Sequence, residues 1–257
     1  NDVYSKQEST SEFTYRINMC KIRHEIIKHN SGSFDTLLEL GYGKGDFLNI
    51  ASQIPGLSSR GIDFTLSSLR PEYNHLQSIC KAGIPHDLLQ ELNELSLQFN
   101  VINATHVLEH SPDPHKLLEQ LVLLLSPSGK LYLELPNDFS IFQSYLVDNG
   151  CVDENYWILP PDHLSYWNPQ NFVIFASQHN LTVSNIYADF PVELDLLTLP
   201  TNYVRNKQLG LNSHAKRCAV VNYLVECFGI PSLLDLMQSL GKLSLGRSSV
   251  YVLSKND

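Results

Sequence analysis

Residues 36–47 read TLLELGYGKGDF: a short apolar run, three glycines at alternate positions, then an acidic residue opening a new apolar pattern. A chain that leaves a buried strand and enters a helix within a few residues must turn sharply, and it brings its backbone close to whatever lies beyond. Glycine does this without a side-chain clash. The strand–turn–helix reading therefore constrains the fold more than any other feature. Further buried strands are expected at 99–104, at 130–135 after the turn Ser126-Pro127-Ser128-Gly129, and more weakly at 60–64. Helical spacing of apolar residues fills 46–54 and 114–125, the second starting at Pro114 and stopping before Pro127. Strands alternating with helices over the first 140 residues predict an α/β fold with a doubly wound, mostly parallel sheet.

Past Pro136 the spacing predicts a helix over 170–179, a strand over 181–187 and a last strand over 248–253. The stretch between those two strands is too long for a hairpin loop, so a helical insertion before the last strand is expected. The organisation that follows is a sheet domain over 1–190, an insertion over 191–246 serving acceptor or oligomer contacts, and a final strand over 247–257.

Charge narrows the range of partners. With 18 Lys and Arg against 27 Asp and Glu, the formal net charge is -9, which opposes the positive field that nucleic-acid binders rely on. No nucleic-acid partner is expected. Cys20, Cys80, Cys151, Cys218 and Cys227 are odd in number, scattered and never in C-x-x-C, so neither a disulfide framework nor a cysteine zinc site is predicted, and a reducing cytoplasm is the simpler setting. No membrane span is expected, because the sequence holds no uninterrupted apolar run of about 18 residues. A start at Asn1 rather than Met makes a piece of a longer protein an expectation; homo-oligomerisation is a separate one.

The glycine loop has the spacing G-x-G-x-G, and Asp46 stands where a dinucleotide fingerprint needs glycine. Glu39 before the loop suits a ligand with a cationic amino-acid end better than a diphosphate. Asp63, at the end of the second strand, is placed to accept both hydroxyls of a ribose. Asp87 and Leu88, in the stretch PHDLL, are placed to accept from an adenine amino group and to cover the ring.

In order and spacing, LLELGYGKGDF, GIDFT, HDLL, FNVINATHVLEHSPDP and LSPSGKLYLELPN resemble the successive motifs of class I S-adenosylmethionine-dependent methyltransferases, whose fold is Rossmann-like. The resemblance covers roughly residues 30–140, and PDHLSYWNPQNF with LTVSNIY looks like its continuation. It implies S-adenosylmethionine as cofactor, Gly41, Gly43 and Gly45 under the methionine moiety, and Glu39 facing its amino end. It further implies Asp63 on the ribose, Asp87 and Leu88 on the adenine, and Thr105 and His106 lining the cofactor. Asn100 departs from the aspartate common in the family. A looser likeness of DFPVELDLLTLPTNYV and LGRSSVYVLSK is to methyltransferases of bacterial surface-glycan and secondary-metabolite pathways.

His106-Val107-Leu108-Glu109-His110 also spells H-x-x-E-H, a zinc pattern when carried on one long helix. Here His106 follows a strand pattern and Pro112 and Pro114 limit any helix beyond His110, so a cofactor wall is expected and no metal. A hydroxyl acceptor calls for a base near neutral pKa, and His110 and His163 are the candidates. Tyr166 and Trp167 are expected to wall the acceptor, and Arg205 to grip an anionic one such as a nucleotide sugar. The function expected is O-methylation of a small molecule or sugar. The alternatives are a non-catalytic cofactor-binding module of a larger protein and carbon methylation of a quinone-like ring.

Overall fold

The computed structural model describes residues 9–256. Seven strands form one sheet in the order β3-β2-β1-β4-β5-β7-β6, with β1 at Thr36–Leu40, β2 at Ser58–Asp63, β3 at Cys80–Ala82, β4 at Phe99–Thr105, β5 at Leu125–Pro136, β6 at Leu181–Ala188 and β7 at Ser248–Lys255. The strands run parallel except β7, which enters antiparallel between β5 and β6. This is the Rossmann-like methyltransferase sheet that the motifs imply.

Successive strand residues point to opposite faces, and both faces are covered. Leu38, Leu40, Ile102 and Leu133 pack against α3 (Pro85–Glu94), α4 (Pro114–Leu124) and α6 (Pro169–Ser177). Leu37, Val101, Tyr132 and Val252 pack on the other side against α1 (Thr10–Ser31), α2 (Asp46–Ser52) and α7 (Gly210–Lys242). A further helix, α5 (Ile141–Asp148), follows β5 and packs through Leu146 against Val152 and Leu196. α4 begins as its sequence requires: the Asp113 side chain accepts from the Lys116 amide at 2.9 Å, ahead of Pro114 at the first helical position.

Three differences from the sequence expectations have local causes. The Ser126–Gly129 turn lies inside β5 rather than before it, since Phe99 pairs with Leu125 and Val101 already with Lys130, leaving the extra residues as a bulge. α1 carries Asn18 and Arg23 among its buried residues, which blurs the apolar stripe that marks an amphipathic helix. Asn100 sits at the start of β4, where its Oδ1 accepts from the amides of Asp35 and Thr36 and from the Thr36 hydroxyl. It ties β4 to the beginning of β1, far from the carboxyl ends.

Residues 192–209 form short 3-10 turns and lead into α7, which bends at Gly229 (φ 75°) with Pro231 just beyond. α7 is the one described helix long and apolar enough to cross a membrane by length and composition. Its inner face packs Val221, Leu233, Leu234 and Met237 into the core shared with α1 and the sheet, while Leu211, Tyr223 and Phe228 lie exposed. Near its end Gly241 crosses β6 so closely that a Cβ would strike the Ile186 carbonyl oxygen, a backbone atom that cannot swing aside. Gly241→Ala should therefore lower stability by about 1–3 kcal/mol, the usual cost of overpacking, read as a fall in the denaturant midpoint at unchanged slope.

Candidate active site

The sheet order reverses between β1 and β4, which leaves a crevice outside the carboxyl ends of these strands where ligands of such folds bind. A cleft of about 1100 Å³, open to solvent, occupies it. Gly41 and Gly43 form one wall, Asp63 and Phe64 the second, Ile84–His86 the third, and Thr105–Val107 with His110 the fourth. Gly41 has φ 78°, and a Cβ there would lie 2.5 Å from Val107 Cγ2. Only glycine lets β1 pass β4 this closely.

Asp63 is held ready for a ligand. Its Oδ2 accepts from the Gly43 amide at 2.8 Å and its Oδ1 from the Phe64 amide at 2.6 Å, so the carboxylate spans the glycine loop and the end of β2. Glu39 lies beneath the lining, 4% exposed, and its Oε2 has no hydrogen-bond partner among the described residues. Burial pushes its pKa up to about 8; nearby Arg23 opposes this, and Asp63 and Asp46 add to it. A buried, unpartnered carboxylate under an open glycine loop fits a ligand with an ammonium group. Asp46 does not face the cleft at all. It pairs with Arg16 at 2.6 Å and Arg70 at 3.0 Å, joining α1 and the 71–78 turns to the start of α2.

Phe64 and Ile84 stand 71% and 60% exposed on the cleft walls beyond β2 and β3, two large apolar groups suited to flank a flat heterocycle. The sequence signal for them was weak: single apolar residues after strand ends, outside any periodic run. Asp87 and Leu88 were expected at the adenine but are not among the lining residues. Asp87 is exposed in the first turn of α3, where a carboxylate favours the helix N-terminus, and Leu88 packs against the core. Gly45 likewise lies off the cleft surface and caps α2 with φ 81°.

At the end of β4, Thr105 and His106 line the cleft as expected. His106 takes a positive φ of 53° and its amide donates to the Glu134 carbonyl. Its Nδ1 lies 3.0 Å from Glu109 Oε1 and its Nε2 3.8 Å from Glu134 Oε1. Burial lowers its pKa, but the bond to Glu109 and the Glu134 charge outweigh this and hold it above the ordinary value. Glu134 is itself paired with Arg23 of α1. Only a single 3-10 turn, Leu108–His110, follows, so the two imidazoles of H-x-x-E-H do not share one helix face.

The acceptor end brings together residues distant in sequence. The Glu109 carbonyl accepts from the amides of Leu164 and Ser165, which docks the 159–165 loop and sets the His163 ring 5.1 Å from the His110 ring. His110 Nδ1 is 2.6 Å from the Asp162 carbonyl oxygen. Tyr166 is half-buried; its hydroxyl accepts from the Leu159 amide and donates to the His163 carbonyl, so it braces this loop. Two expected acceptor contacts are corrected. Trp167 is 8% exposed and packs on Phe172 and Phe175 in the core under the sheet. Arg205 lines no part of the cleft; it binds the Gly150 carbonyl and Asp153, each at 2.8 Å.

Comparison with known proteins agrees with this fold. A family profile described as a methyltransferase domain matches residues 14–185. An arsenite methyltransferase of Aquipseudomonas alcaligenes is 27% identical over 174 residues, 62% of this chain and 47% of that protein. A ubiquinone biosynthesis O-methyltransferase of Coxiella burnetii is 25% identical over 154 residues, 58% of this chain and 64% of that protein. The chain thus spans about half to two thirds of the length of these curated relatives. A crystal structure of a SAM-dependent methyltransferase from Archaeoglobus fulgidus superposes with a TM-score of 0.57 at 16% identity, covering 96% of this chain and 95% of that one, and so shares the fold.

Two measurements probe the cofactor end. Asp63→Ala should weaken S-adenosylmethionine by about 1–3 kcal/mol, roughly fivefold to 150-fold in Kd, by loss of hydrogen bonds to a charged group; unchanged affinity in calorimetry would remove Asp63 from the ribose. For Glu39, the native carboxyl keeps its proton up to about pH 8, whereas the unfolded one releases it near 4.5. Unfolding therefore sheds a proton inside that window, and the wild type loses stability as pH rises through it. Glu39→Gln should melt higher than wild type by a margin that opens between about pH 5 and 8 and then stays constant. A margin independent of pH would show that Glu39 does not titrate in that window.

Proposed function

Because the chain belongs to the class I S-adenosylmethionine-dependent methyltransferase family, we propose that it methylates a hydroxyl oxygen of a small-molecule or sugar acceptor. S-adenosylmethionine supplies a methyl group on a sulfonium sulfur, made electrophilic by the positive charge. The chain's own residues bind, align and dry the site. Glu39, Gly41 and Gly43 suit the amino-acid end, Asp63 the ribose, and Phe64 with Ile84 the base. Val107, Pro112 and Leu117 add apolar wall that keeps water from the reacting atoms.

Transfer to a hydroxyl leaves one proton to remove from the acceptor oxygen. The observation that carries the proposal is the corner formed by His110 and His163, rings 5.1 Å apart at the rim of the cleft. Neutral acceptors suit this rim better than anionic ones, since among the described residues neither Lys nor Arg lines the cleft. The O-methyltransferase named among the relatives supports oxygen over carbon as the methylated atom.

The test is turnover to S-adenosylhomocysteine with a panel of catechol, phenol and sugar hydroxyl acceptors. His110→Ala should lower kcat by about 10²–10⁴ with cofactor affinity unchanged. Full activity in this variant with an acceptor the wild type uses would contradict the role of this corner. Cofactor binding without turnover on any acceptor would favour a binding module instead.

A further inference from the structure

The His110–His163 corner also contains Glu109, and the three side chains each offer one ligand atom, all within 4.8 Å of one another. Donors around one cation at about 2.1 Å stand roughly 3–4 Å apart, so the cluster needs a contraction of about an ångström to close on an ion. Two of its polar atoms lack a partner among the described residues. Glu109 is 1% exposed, and its Oε2 is buried with no hydrogen bond. His163 Nδ1 is buried without one as well, 3.8 Å from an equally unpartnered Asp138 Oδ2. Orphaned buried groups of this kind are costly unless something satisfies them.

The surroundings orient the same atoms. His110 Nδ1 lies on the Asp162 carbonyl oxygen at 2.6 Å, so that nitrogen carries the proton and donates, and Nε2 presents its lone pair, 3.9 Å from Glu109 Oε1. Glu109 Oε1 is held by His106 Nδ1 at 3.0 Å, which leaves Oε2 as its open atom. Ligand histidines held through the second ring nitrogen, and carboxylates held through the second oxygen, are the outer-shell pattern of metal sites.

We propose that Glu109, His110 and His163 bind one divalent cation at the acceptor end of the cleft. Two imidazoles and one carboxylate favour a borderline first-row ion such as Zn²⁺, Co²⁺ or Mn²⁺ over Mg²⁺ or Ca²⁺, which prefer all-oxygen sites. The ion's role rests on the reading of the cleft as a hydroxyl-methylating site: it holds the acceptor oxygen and makes its proton more acidic. The O–H bond then breaks with its proton passing to water. The oxygen lone pair forms the new O–C bond while the S–C bond breaks and its electrons return to sulfur.

The histidine-rich surface offers a competing site, His115 Nδ1 against His179 Nε2 at 2.9 Å, and the test separates the two. Metal-stripped protein is titrated with Co²⁺, followed by its visible absorption and by calorimetry. One saturable Co²⁺ per chain is expected, with Mg²⁺ and Ca²⁺ binding far more weakly. His110→Ala and His163→Ala should each weaken Co²⁺ by at least about tenfold, whereas His179→Ala should leave it unchanged. Melting temperature and cofactor affinity certify that each variant is folded, and the exposed His110 serves if His163→Ala is not. No saturable binding, wild-type affinity in both corner variants, or loss in His179→Ala alone would overturn the site. Calorimetry with S-adenosylmethionine on the stripped protein reads the methyltransferase assignment separately, so failure of one is not failure of the other.

Discussion

The close passage of the β1–α2 turn beside the end of β4 is the constraint on which the site depends. β1 and β4 are neighbours in the sheet, yet the chain leaves them toward opposite faces, α2 on one side and α4 on the other. At the point of divergence Gly41 lies against Val107. A side chain there would strike the Val107 γ-methyl and would be strained by the positive φ of 78°. The cleft is thus a consequence of sheet order, given its width by the missing side chain at position 41.

A chain of charged groups runs from beneath that cleft up to its lining. Arg23 reaches from α1 to Glu134 and lies near Glu39; Glu134 faces His106, which binds Glu109. Removing one member of a buried pair such as Arg23–Glu134 typically costs about 3–5 kcal/mol, because the other charge is left uncompensated. The chain links the cofactor end to the acceptor end through side chains of α1, β5 and the turn after β4. Glu109 is the junction, since its carbonyl also anchors the loop that delivers His163.

What could be read from the sequence follows from the range of each interaction. The glycine loop, β1, β4, α4 and the position of Asp63 are local patterns, and each is present where expected. α1 escaped because Asn18 and Arg23 interrupt its apolar face, and the membrane-like composition of α7 escaped because its apolar residues are scattered among polar ones. Trp167 and Arg205 were misplaced for a related reason: burial on Phe172 and Phe175 and pairing with Asp153 are non-local contacts. Phe64 and Ile84 have no periodic context, while Asp87 and Leu88 sit near the start of α3, off the cleft lining. His110 and His163 were legible as residue types, but their meeting depends on backbone bonds from Leu164 and Ser165 to Glu109.

The adenosine of S-adenosylmethionine is expected in this cleft, across the β1–β4 crevice. A crystal structure of the chain with S-adenosylhomocysteine tests it most directly. The base is predicted between Phe64 and Ile84, the ribose hydroxyls on Asp63, and the amino-acid end over Gly41 and Gly43. A nucleoside bound elsewhere, or a cleft left empty at saturating ligand, would contradict the account.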